Sequence, residues 1–187
     1  MYKNLKNLII TKKSNIGIFG LGYVGLPLAL RFLTQKFNVY GFDISKKKVD
    51  CLIEGKSYIN NIPSEIIKRN IKKKKFIVSK NFKNVKFCDV LIFCLPTPLK
   101  KNNNPDLSYL KNSIKKIEKY IKKGQLFSNE STSYPGTTEE YFLKLFKKKN
   151  FSVGKDVFLT FSPEREDPGN KKYSISNIPK VISGKSN

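Results

Sequence analysis

Histidine is absent from the 187-residue sequence, and cysteine occurs three times, at Cys51, Cys88 and Cys94. Without imidazole, every scheme that uses histidine as a base is closed, so acid–base work falls to carboxylates, lysine or ordered water. The cysteines form no CxxC pair and are too few and too irregularly spaced for a disulfide framework. With histidine missing as well, no metal site is expected. No apolar run approaches the ~20 residues that span a bilayer. The first residues, MYKNLKNLIITKKSN, carry a short apolar patch at positions 8–10. They show neither the apolar core nor the small-residue cleavage site of a secretory signal. The expectation is a cytoplasmic protein without a membrane segment.

Arginine and alanine are also scarce. Arg31, Arg69 and Arg165 are the only arginines and Ala29 the only alanine, while lysine, asparagine and isoleucine abound. The formal net charge is +23, which at face value suits nucleic acid or an anionic surface. The imbalance in residue choice instead follows A+T-rich codons, so the excess lysine is read as drift on solvated faces. Nucleic-acid binding remains the weaker alternative, and it would show as strongly salt-dependent affinity.

Short β-type runs alternate with amphipathic segments along the chain, the pattern of a parallel α/β sheet. Strands are expected at residues 15–20, 38–43, 75–79, 89–95, 125–131 and 157–161, with a last apolar run at 180–183. Helices are expected near 24–35, 45–54, 63–70, 107–121 and 137–146. The run DVLIFCL at 89–95 is apolar on both faces, as a central parallel strand must be. Residues 1–14 read as an amino-terminal extension, and 15–187 as one Rossmann-like, doubly wound domain.

Gly20-Leu21-Gly22-Tyr23-Val24-Gly25 fits G-x-G-x-x-G between a strand and a helix, and an acid, Asp43, ends the next strand. In that context the first glycine permits the turn, the second lets a pyrophosphate approach, and the third lets the helix pack on the sheet. The helix amino terminus offers unpaired N–H groups to the phosphates. Asp43 stands 18 residues past Gly25, where a carboxylate can accept from both ribose hydroxyls and would repel a 2′-phosphate. NAD is therefore expected rather than NADP. The plainer alternative is a tight βα turn, with Asp43 capping the helix after it.

Four blocks together, IGIFGLGYVGLPLAL, FCLPTPL, NESTSYPGTT and FSPEREDPGN with NIPKVISG after it, resemble the UDP-glucose/GDP-mannose dehydrogenase superfamily in order and spacing. The form SPEREDPGN is most similar to the branch that oxidises UDP-N-acetylhexosamines, UDP-GlcNAc or UDP-GalNAc, for surface polysaccharide. UDP-glucose oxidation is the second alternative; its enzymes tend to carry another glutamate where Pro168 stands here. The resemblance implies twofold oxidation of the sugar C6 hydroxyl with two NAD, through a cysteine-bound aldehyde.

Residue by residue, it implies a pyrophosphate loop of Gly20, Gly22, Tyr23, Val24 and Gly25, and adenosine-ribose contacts from Asp43 and Lys48. Thr97 would touch the cofactor, and Thr132 would contact its nicotinamide half and help position a water. Glu164 would assist acid–base steps through water, and Arg165 would pair with substrate oxygens or with neighbouring acids. The resemblance also places the nucleophilic cysteine, the catalytic lysine and the long helix of a homodimer beyond residue 187. The fold expected is thus a sheet that stops before the central helix and second domain. Two functional readings follow: the cofactor half of a dehydrogenase, and an NAD-binding remnant or module that does no oxidation.

If Asp43 faces the ribose, titration calorimetry should give tighter binding of NADH than of NADPH. Asp43→Ala should narrow that gap, and equal affinities in the unaltered protein would refute the assignment.

Overall fold

The computed structural model describes residues 1–164 and 179–185. In chain order the elements are α1 (Tyr2–Ile10), β1 (Asn15–Phe19), α2 (Gly25–Thr34), β2 (Asn38–Phe42), α3 (Lys46–Ile53), α4 (Ser64–Lys72) and β3 (Phe76–Ser79). A 3-10 turn over Phe82–Phe87 leads into β4 (Val90–Phe93), followed by α5 (Ser108–Ile117), β5 (Leu126–Asn129), α6 (Thr137–Lys148), β6 (Phe158–Phe161) and β7 (Ser183–Lys185). The strands form one sheet in the order β3-β2-β1-β4-β5-β6-β7. Strands β1 to β6 pair in parallel, and β7 adds antiparallel to the edge of β6. The chain leaves β1 toward β2 on one side, and β4 returns on the other. That reversal opens a crevice at the carboxyl ends of β1 and β4, where sheets of this kind bind ligands.

Local sequence accounts for most of these elements. Every residue of β4 is buried, which is why its run is apolar throughout rather than alternating. The side chain of Ser45 caps α3 by accepting the Lys48 N–H, and Gly55 closes the turn after it with a φ of +76°. One hydrophobic cluster joins α2, α3, α4 and one sheet face, with Leu26, Ala29, Val39, Leu52 and Ile67 at its centre. The other lies between the opposite sheet face, α5 and α6. Within it Phe19 stacks on Phe42 and Phe93, with ring centroids 4.9 and 4.5 Å apart. Offset aromatic pairs of this kind stabilise beyond their buried area.

The structure departs from the sequence-based expectation in four places. Residues 2–10 are helical: Leu5 is buried and the Tyr2 ring meets Phe158 edge-on at 6.0 Å. The signal was present as Leu5, Leu8 and Ile9, but it covers under three turns in a lysine- and asparagine-rich stretch. Pro63 stands at the N-cap of α4, one position before the helix it was expected to begin. The helix expected to run to residue 121 ends at Ile117, and Ile121 packs from the turn after it.

The last strand also lies later than the apolar run 180–183 suggests. Pairing starts at Ser183, opposite Phe161, while Val181 and Ile182 are 58% and 69% exposed. Apolarity there reports on something other than burial within the described residues. Among those residues, no helix is long and apolar enough to cross a membrane.

Phe127 is fully buried, with edge-on rings from Phe142 and Phe146 at 6.0 and 4.8 Å. Phe127→Ala should cost about 3–5 kcal/mol in urea unfolding, because the rings around it cannot close the cavity. A loss below about 1 kcal/mol would mean that this half of the core is loosely packed.

Candidate functional site

The loop after β1 places its three glycines under different constraints. Gly20 turns the chain with a φ of +86°, and a Cβ there would lie 2.4 Å from the Cys94 carbonyl oxygen. Gly25 opens α2 so close to the start of the loop that a Cβ would lie 1.8 Å from the Gly20 carbonyl oxygen. Gly22 differs, since nothing lies within 4 Å of where its Cβ would be. The fold requires Gly20 and Gly25, whereas Gly22 leaves open space in front of the backbone. That is where a diphosphate would approach. Among the described residues, the amides of Gly22, Tyr23 and Val24 make no hydrogen bond, and they stand at the positive end of the α2 dipole.

Asp43 follows β2 and is buried, with both carboxylate oxygens engaged. Oδ2 accepts the Leu21 N–H and Oδ1 the Ser45 N–H, each at 2.9 Å. Lys48 Nζ lies 3.7 Å from Oδ2 and 5.9 Å above the Tyr58 ring. Capping of α3 belongs to Ser45, so Asp43 is not simply a helix cap. It ties the glycine loop to β2 and keeps acceptor capacity on the cleft side, because each carboxylate oxygen can accept more than one bond. The hydroxyl of Tyr58 donates to the Leu21 carbonyl. Burial first, then the charge of Asp43, pushes the Tyr58 phenol up, so it stays a donor.

At the other end of the crevice, Ser131 joins the exits of β4 and β5. Its Oγ accepts the Leu95 N–H at 2.8 Å and donates to the Phe93 carbonyl at 3.2 Å. Glu130 and Glu164, at the ends of β5 and β6, share Lys180. Its Nζ lies 2.6 Å from Glu130 Oε2 and 3.4 Å from Glu164 Oε2. Burial pushes the Glu130 carboxyl up despite that partner. Burial pulls Lys180 down, yet the two carboxylates outweigh it and the ammonium is held above its ordinary value. Cys94 lines the crevice with its thiol pushed well up, by burial and then by Glu130, a setting opposite to that of a reactive thiolate.

Gly20, Gly22, Tyr23, Val24, Asp43, Lys48, Thr97, Thr132 and Glu164 line a single cleft of about 930 Å³, and Gly25 stands behind its wall. That volume is near the top of the range for small-molecule sites, about 300–1,000 Å³. Thr132 is exposed at the cleft surface, and the cap of α6 is Gly136, so Thr132 does not serve as a helix cap. Arg165 lies outside the described residues. Among those described, no group of three or more metal-ligating side chains stands together.

Sequence reasoning passed over Glu130, Ser131, Tyr58 and Lys180. Glu130 and Ser131 were legible as the polar end of a buried strand. Tyr58 is brought in by a turn far from the motifs, and Lys180, although it stands in NIPKVISG, is one lysine among so many and gives no local signal of its partners.

Residues 14–187 match the model for the NAD binding domain of the UDP-glucose/GDP-mannose dehydrogenase family. The chain is 37% identical over 171 residues to the protein CapL of Staphylococcus aureus, covering 91% of this chain and 39% of that protein. It is 36% identical over 174 residues to the UDP-N-acetyl-D-glucosamine 6-dehydrogenase of Pseudomonas aeruginosa, covering 92% and 40%. Among solved structures, the UDP-D-ManNAc dehydrogenase of Pyrococcus horikoshii superposes with a TM-score of 0.82 at 31% identity, covering 91% of this chain and 41% of that one. The chain thus spans about two-fifths of the length of the relatives it matches. Open space at Gly22, free amides beside it and an acid at the tip of β2 fit the dinucleotide named in the family description.

The glycines separate fold from binding in a way that can be measured. Gly22→Val should change unfolding stability by no more than about 1 kcal/mol yet abolish NADH binding in a fluorescence titration. Gly25→Ala should instead fail to fold stably, since its Cβ meets backbone. Normal NADH affinity in Gly22→Val would remove the diphosphate from this loop.

Proposed function

The chain belongs to the UDP-glucose/GDP-mannose dehydrogenase family through its NAD-binding domain, and we propose that it is the cofactor-binding part of a dehydrogenase acting on a UDP-N-acetylhexosamine. The observation that carries this reading is the cleft itself. It runs from Asp43 and Lys48 at one end to Thr132, Glu130 and Glu164 at the other, as an extended dinucleotide crossing the sheet reversal requires. The branch in SPEREDPGN and the relatives named for UDP-N-acetylated sugars favour an N-acetylhexosamine over glucose. The C6 hydroxyl of UDP-GlcNAc or UDP-GalNAc is the group to be oxidised, toward the uronic acid.

Bound NAD supplies a hydride acceptor. In this reading Gly20, Gly22, Tyr23, Val24 and Gly25 form the diphosphate loop, and Asp43 and Lys48 hold the adenosine ribose. Thr97 borders the middle of the cleft, and Thr132 orients the nicotinamide end and a water beside it. Glu164 holds or passes a proton through that water, and Lys180 fixes the Glu164 carboxylate by pairing with it and Glu130. Arg165, next to Glu164, receives the substrate's anionic oxygens. Trapping an aldehyde as a covalent adduct needs a nucleophilic thiol. Cys94, the cysteine on the cleft, is held protonated by its surroundings. That observation favours a second reading, in which these 187 residues bind NAD and carry out no oxidation by themselves.

Incubated with NAD and UDP-GlcNAc or UDP-GalNAc, the 187-residue chain should form no uronic acid, and sustained release of two NADH per sugar would overturn the reasoning about Cys94. A chimera tests the dehydrogenase reading, with residues 1–187 replacing the matching part of the Pseudomonas aeruginosa relative. It should reduce NAD with a UDP-N-acetylhexosamine, and Glu164→Gln should lower kcat about 100-fold or more with NADH affinity unchanged. A chimera that binds NADH but turns over none of these sugars would leave the binding-module reading standing.

A further inference from the structure

Leu21 is the residue between the first two glycines of the loop, and both polar groups of its backbone are held by side chains. Its N–H donates to Asp43 Oδ2 at 2.9 Å, and its carbonyl accepts from the Tyr58 hydroxyl. The Leu21 side chain is fully buried and packs where Gly41 leaves room in β2. Tyr58 comes from the segment between α3 and α4, its ring half-buried beneath the Lys48 ammonium. Two side chains from around β2 and α3 therefore hold the two peptide units that flank Leu21, in a loop that starts at β1.

We infer that Tyr58 is a positioning residue for the cofactor: with Asp43 it clamps the Leu21 backbone, so that the Gly22, Tyr23 and Val24 amides face the diphosphate before it arrives. The physical need is clear at Gly22. A glycine with nothing around its Cβ position has the widest conformational freedom of any residue. Ordering it on binding would cost affinity. Fixing the peptide on its amino-terminal side removes much of that freedom in the unliganded protein. Asp43 alone holds the N–H and leaves the carbonyl free to swing, and the Tyr58 hydroxyl closes that second degree of freedom. Because its phenol is held in the protonated form, the bond persists across the ordinary pH range.

The inference rests on the assignment of this loop to the diphosphate, and the experiment separates the two. Tyr58→Phe keeps the ring and removes only the hydroxyl. Affinities of the wild-type chain and the variant are measured for NADH, ADP and adenosine, the last by ligand-observed NMR at millimolar concentration. Tyr58→Phe should weaken NADH and ADP by a similar factor, about five- to tenfold, and leave adenosine unchanged. Unaltered NADH and ADP affinity overturns the inference. Equal weakening of all three does so too, because Tyr58 would then shape the adenosine site rather than the loop. Wild-type protein that binds neither NADH nor ADP overturns the site assignment and the inference with it.

A second measurement does not depend on the variant folding. Backbone ¹⁵N relaxation of the unliganded wild-type chain should show residues 21–24 as ordered as β1 on the picosecond-to-nanosecond scale. Mobility there would mean that the clamp does not preorganise the loop.

Discussion

The approach of Gly25 to the Gly20 carbonyl is the constraint on which the site depends, because it sets where α2 begins. With 1.8 Å between that oxygen and the place of a Cβ, no other residue lets the chain double back so soon after β1. A longer detour would move the amino terminus of α2 away from the reversal between β1 and β4. The free amides would then point away from the crevice, and Asp43 could not reach the Leu21 N–H. The first and third glycines are thus requirements of the turn, and the second faces open space.

Charge is arranged with similar economy. The chain carries 37 basic and 14 acidic side chains, and most of the lysines lie on exposed faces. Exposed pairs such as Lys46–Asp50 and Lys56–Glu54 contribute little to stability. The cleft is different, with buried acids at each end and a lysine beside them. Asp43 is engaged by two amides and Lys48, and Glu130 with Glu164 by Lys180. Removing a buried partner would strand a charge, which costs far more than losing a surface pair. Lys180 also attaches the segment before β7 to the ends of β5 and β6. The edge of the sheet and the floor of the cleft are in this way one structure.

Much of the architecture could be read from local signals. The all-apolar run in β4, the helical stripes of α5 and α6 and the glycine loop with Asp43 each identify a whole element through its period or its turn chemistry. Weak elements were missed for the same reason. Helix α1 has four aliphatic positions in nine residues, only one of them buried, and β7 is three exposed residues whose pairing depends on β6. Apolar Val181 and Ile182 suggested a strand two residues early, since apolarity alone does not distinguish a buried strand from an uncovered surface.

For the site, sequence by itself determined the residues that belong to continuous motifs: the three glycines, Asp43 on the tip of β2, and Thr97, Thr132 and Glu164 at the ends of later strands. Parallel pairing brings all strand ends to one edge, so residues in those positions must meet. Only the tertiary structure decided which glycine faces open space, that Ser45 rather than Asp43 caps α3, and that Cys94 is a half-buried thiol held protonated. It also brought in Tyr58 and Lys180, 37 and 50 residues from the groups they bond. Spacing along a chain describes a turn or a helix face, whereas bonds across such separations exist only once the sheet has fixed where each segment returns.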